Sequence, residues 1–122
     1  LLPHQLTRIS KRATVGLSRV GGIGHNMSGD IFLAFSTGNE IPVNQNRPSE
    51  GESRTAIEEV KAVEDSAMSS LFEATAECVE EAIYNSLFMA ETMQGFEGHR
   101  VEALPLKRVK EIMKEYGRAQ MS

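Results

Sequence analysis

The sequence predicts an α/β fold, and three features carry that reading. Ile31–Phe35 is a short run apolar on both faces, which reads as a covered, central strand. Two stretches with helical apolar spacing, one near the start and a longer one after residue 65, read as amphipathic helices that need a sheet to cover. The strands are too few to close that sheet, because one or two strands are not stable alone. The 122 residues are therefore expected to form a single incomplete domain, 1–122, completed by strands from elsewhere in the protein.

Each element has a local cause. Pro3 can open a helix, since its missing N–H is unneeded in a first turn. Leu6, Ile9, Ala13, Leu17 and Val20 follow at three- and four-residue steps, and Gly21-Gly22 ends the helix. Arg8, Lys11, Arg12 and Arg19 fall mostly off that stripe and read as a solvated face. Gly21–Met27 is glycine-rich but lacks the dinucleotide fingerprint and precedes a strand, the wrong order for phosphate binding. Its glycines are expected to let backbone pass close to a substrate or another strand. The strand spans about Asp30–Ser36. Thr37–Arg54, with two prolines, three asparagines and two glycines, is an irregular connection. Ile57, Val60 and Val63 fit either a short strand or a helix, and the strand is the favoured reading.

Asp65 or Ser66 can cap the next helix. Met68, Leu71, Phe72, Thr75, Val79, Ala82, Ile83, Leu87 and Met93 keep helical spacing, and the helix is predicted to reach about Thr92, roughly 40 Å in length. Gly95 and Gly98 break it. Cys78 flanks the stripe and reads as a small buried hydrophobe. A last helix starts near Pro105, carries Leu106, Val109, Ile112, Met113 and Tyr116 on one face, and stops at Gly117.

The bulk composition excludes several function classes. With 40% hydrophobic and 25% charged residues, the chain is globular in character. A net charge of -4 argues against nucleic acid as a partner. No apolar run approaches membrane-spanning length. The start lacks the basic-then-apolar order of a secretory leader, so the expected location is cytoplasmic and Asn26-Met27-Ser28 is a chance glycosylation match. One cysteine excludes an internal disulfide, and no Cys/His cluster has metal-ligand spacing, so neither metal nor cofactor is expected. Leu1-Leu2-Pro3-His4 reads as the middle of a longer polypeptide.

The chemically informative stretch is Ser28-Gly29-Asp30. In an extended backbone successive side chains alternate, so Ser28 and Asp30 share a face, continued by Phe32 and Ala34, while Ile31, Leu33 and Phe35 form the other. A carboxylate at the mouth of an apolar strand is costly unless it is paired, and such carboxylates are often functional. The alternative is structural: a strand-capping Asp beside a Ser that holds a turn. His25 adds the further possibility of a His/Ser/Asp triad within the chain.

The run Leu1-Leu2-Pro3-His4-Gln5-Leu6, with Gly16-Leu17-Ser18-Arg19, Ser28-Gly29-Asp30-Ile31-Phe32-Leu33-Ala34-Phe35-Ser36-Thr37, Glu80-Glu81-Ala82-Ile83-Tyr84-Asn85 and Ala103-Leu104-Pro105, resembles the DmpA-type aminopeptidases. These comprise the L-aminopeptidase/D-esterases and the β-peptidyl aminopeptidases. The resemblance covers nearly the whole chain. It implies an α/β/β/α sandwich like that of the N-terminal-nucleophile hydrolases, formed by a precursor that cleaves itself into α and β subunits. It makes this chain most of a β subunit, partnered by the α subunit of the same precursor in a homo-oligomer of αβ units. The implied substrates are short peptides, amino-acid amides or esters.

The family's nucleophile, the N-terminal serine of β, would lie upstream of Leu1. The residues that match the family's site within this chain are Ser28 and Asp30, the partners of that nucleophile; some members carry Glu at the latter position. Such a serine can pass its proton to its own α-amine, so no histidine is required. Two other readings share the scaffold: a non-catalytic packing subunit, and an acyltransferase of the ornithine acetyltransferase type, which uses a threonine nucleophile.

Overall fold

Pro3 opens the first helix as its fixed φ allows, and α1 runs Pro3–Arg19. The computed structural model describes residues 1–40 and 59–118. The glycine pair stops α1 as expected. Gly21 takes φ +96°; its N–H donates to the Ser18 carbonyl at 3.1 Å, and the Gly22 N–H donates to the Leu17 carbonyl at 3.0 Å. This pair of bonds is the Schellman motif, which satisfies carbonyls that a helix end leaves unpaired.

The second helix, α2, spans Met68–Met89 and is entered through a 3-10 turn at Asp65–Ala67. It stops three residues before the expected Thr92. Neither expected cap serves it: Ala67 is the N-cap residue and makes no capping bond. Asp65 is taken by Arg8, and Ser66 Oγ donates to Glu64 Oε2 at 3.3 Å. The third helix, α3, spans Leu106–Glu115 and closes on Gly117 with the same bond pattern as α1.

Between α2 and α3 lies a small antiparallel pair, β1 (Met93–Gln94) and β2 (Arg100–Val101). A 3-10 turn at Phe96–Gly98 connects them and holds Glu97 at φ +54°. Periodicity could not reveal this hairpin, because two-residue strands are too short to alternate.

The predicted strand at Asp30–Ser36 carries no backbone ladder; β1–β2 is the only sheet among the described residues. The alternation is present all the same. Ile31, Leu33 and Phe35 are 97%, 88% and 76% exposed, whereas Phe32 is 37% exposed and Ala34 and Ser36 are half-buried. The segment has a strand's two faces but pairs with no neighbour among the described residues. Of the other proposed strand, Ile57 lies outside the described residues, and Val60 and Val63 sit in a stretch with neither helix nor ladder.

The core lies between α1 and α2. Gln5, Ala13 and Gly16 are buried on α1, and Met68 and Ala76 on α2. Gly16 sets the approach. A Cβ there would fall 2.4 Å from the Ala76 carbonyl oxygen and 2.8 Å from Val79 Cβ, so only hydrogen fits.

Three of the four arginine and lysine residues expected to face solvent instead reach across to α2 and its entry turn. Arg8 and Arg12 place their guanidinium carbons 5.1 Å and 4.4 Å from the Phe72 ring centroid. Arg8 also pairs with Asp65, and Arg19 lies 3.2 Å from Glu80. The charge is still exposed, but the side chains clamp the helix pair. Cys78, expected inside, is exposed; α1 covers only one side of α2.

Gly16→Val in the complete protein should lower stability by about 1–3 kcal/mol, as overpacking does. Gly29→Ala should be nearly neutral, since a Cβ at Gly29 meets nothing within 4 Å. Thermal melts of the two variants compare them directly, and equal melting temperatures would refute the close-contact account. Phe72→Leu should lose both guanidinium contacts, each worth about 0.5–1 kcal/mol at an exposed site. Chemical denaturation with urea measures that loss.

Candidate functional site

Ser28 and Asp30 are presented from the connection that leaves α1. The Ser28 N–H donates to the His25 carbonyl at 2.7 Å, which closes a four-residue turn over 25–28. Ser28, Gly29 and Asp30 are all exposed. Among the described residues neither the Ser28 hydroxyl nor the Asp30 carboxylate has a hydrogen-bond partner. The two residues thus share one exposed turn edge, and no bond joins their side chains.

His25 meets Ser28 through its backbone carbonyl, not its imidazole, so the geometry does not assemble the His/Ser/Asp triad. The loop glycines were expected to let backbone pass close to a substrate or another strand, and among the described residues no strand comes near them: Gly22 meets only Leu17 of the preceding helix. A Cβ there would lie 2.5 Å from Leu17 Cγ, while Gly21, Gly24 and Gly29 face open space.

Three polar side chains that sequence reading missed, Gln5, Asn39 and Ser36, tie together the segments around the site. Gln5, 4% exposed, accepts from the Leu2 N–H at 3.0 Å and donates from Nε2 to the Val63 carbonyl at 2.6 Å. Its first bond had a signal in the sequence: a Gln three residues after the N-cap position, where it can reach back to that backbone N–H. Asn39 donates from Nδ2 to the Lys61 carbonyl at 2.9 Å and accepts from the Lys61 N–H at 2.8 Å. Ser36 Oγ accepts from the Gly38 N–H at 3.2 Å and from the Leu1 nitrogen at 3.3 Å. The partners of Asn39 and Ser36 are distant in sequence or set by the turn, so no pattern announces them.

An open cavity of about 320 Å³ separates α1 from this segment, lined by Pro3, Leu6, Thr7, Ser10, Phe32, Leu33 and Ala34. It does not include Ser28 or Asp30. Among the described residues no three His, Cys, Asp or Glu side chains gather as metal ligands. No helix among them is long and apolar enough to cross a membrane.

An exposed serine and carboxylate with no base beside them do not make a nucleophile. A hydroxyl becomes reactive when an adjacent base takes its proton, and neither side chain contacts one within the described residues. They can accept, orient or stabilise a group brought to them.

Known proteins resemble this chain over nearly its full length. It is 40% identical over 118 residues, 97% of the chain, to the β-peptidyl aminopeptidase BapA of Sphingosinicella microcystinivorans, of which it covers 28%. It is 36% identical over 115 residues, 93% of the chain, to the BapA of Sphingosinicella xenopeptidilytica, of which it covers 27%. The chain therefore spans under a third of the length of these curated relatives.

Solved structures share its α/β fold. The PH0078 protein of Pyrococcus horikoshii OT3 matches 98% of the chain at 49% identity, with a TM-score of 0.79 over 31% of that protein. The L-aminopeptidase D-Ala-esterase/amidase of Ochrobactrum anthropi, described as a prototype serine aminopeptidase and a new variant of the Ntn hydrolase fold, matches 98% of the chain at 37% identity. Its TM-score is 0.76, and the chain covers 32% of it. The profile of peptidase family S58 matches residues 1–101, and with the two β-peptidyl aminopeptidases it establishes that this chain belongs to peptidase family S58.

Proposed function

We propose that this chain is the β-subunit portion of a self-processing serine aminopeptidase that removes N-terminal residues from short peptides, amides or esters. The observation that carries the reading is the family match over residues 1–101, which includes an exposed Ser28 and Asp30 with no partner among the described residues. The names of the relatives support the substrate class: both curated ones are β-peptidyl aminopeptidases, and one solved structure is an L-aminopeptidase and D-Ala-esterase/amidase.

In this reading the nucleophile is an N-terminal serine from the part of the protein outside these 122 residues. Its hydroxyl attacks the substrate carbonyl while its own α-amine takes the proton. Collapse of the tetrahedral intermediate returns that proton to the leaving amine and forms an acyl-enzyme, which water then hydrolyses. Ser28 accepts or donates a hydrogen bond to hold the nucleophile's rotamer. Asp30 orients the amine or Ser28 and offsets the positive charge that builds as the amine is protonated. The α subunit of the same precursor completes the sheet, and αβ units assemble into a cytoplasmic homo-oligomer.

Ser28→Ala and Asp30→Asn should each lower kcat of the complete enzyme by about 10²–10⁴-fold, the range for positioned acid–base groups. The double variant should be little worse than the poorer single one, since groups acting as a unit are not additive. Turnover per folded site, measured on an amino-acid p-nitroanilide beside the melting temperature, checks this. Near-normal turnover in both single variants would remove the two residues from the mechanism. The 122 residues alone should show no p-nitroanilide hydrolysis above background, and a reproducible rate from them would place the nucleophile within this chain.

A further inference from the structure

We draw no further inference here: the strongest candidate, the open apolar groove between Ile9 of α1 and the Leu71, Cys78 and Ala82 side of α2, is an unpartnered face of a chain that spans under a third of the length of its curated relatives, and nothing in the structure shows what covers it.

Discussion

The absence of a side chain at Gly16 is the constraint on which the rest of this structure depends. It lets α1 come down onto the Ala76 carbonyl and Val79 of α2, and that contact sets where the two helices sit. Everything else is referred to this pair. Arg8 and Arg12 reach from α1 to the Phe72 ring of α2, and buried Gln5 bonds the Val63 carbonyl just ahead of the turn that enters α2. The energy of the pair comes from small contacts. Exposed ion pairs such as Arg19–Glu80 contribute little each, so shape at Gly16 matters more than charge around it.

Around this pair the molecule is one-sided. Ile31, Leu33 and Phe35 turn their apolar side chains outward, and a groove of Ile9, Leu71, Ala74, Thr75, Cys78, Val79 and Ala82 opens beside α1. Such surfaces rarely persist uncovered in water. The chain covers about 31% and 32% of the solved structures it superimposes on. The site follows the same logic. Ser28 and Asp30 stand on a turn at the edge, offered to whatever the rest of the protein brings.

The helices were legible because their cause is local. Three- and four-residue apolar steps, a proline at the start of α1 and glycines after α1 and α3 determine them without reference to any distant residue. The strand at Asp30–Ser36 was legible as a pattern, and its alternation is real, but a ladder requires a neighbour that no local signal supplies. The arginines of α1 misled for the opposite reason: they are off the apolar stripe, yet long enough to lie back over an aromatic ring on another helix. Ser28 and Asp30 were ambiguous from chemistry alone and became candidates through the family motif. Asn39 and the bond from Gln5 to Val63 were invisible because an amide on a polar position looks like solvent-facing surface until its partner, here a backbone group on a different segment, is known.

The two bonds between the Asn39 side chain and the Lys61 backbone form a clasp. It closes the chain between those two residues with a single side chain and two backbone atoms, so the geometry on either side does not depend on how much sequence is enclosed. Loop-closure entropy grows only with the logarithm of length, about 0.6 kcal/mol for each doubling. Insertions and deletions between Asn39 and Lys61 are therefore thermodynamically inexpensive. A change in the number of residues between Asn39 and Lys61 leaves the two bonds of the clasp chemically unaltered, since both join one side chain to the backbone of one residue.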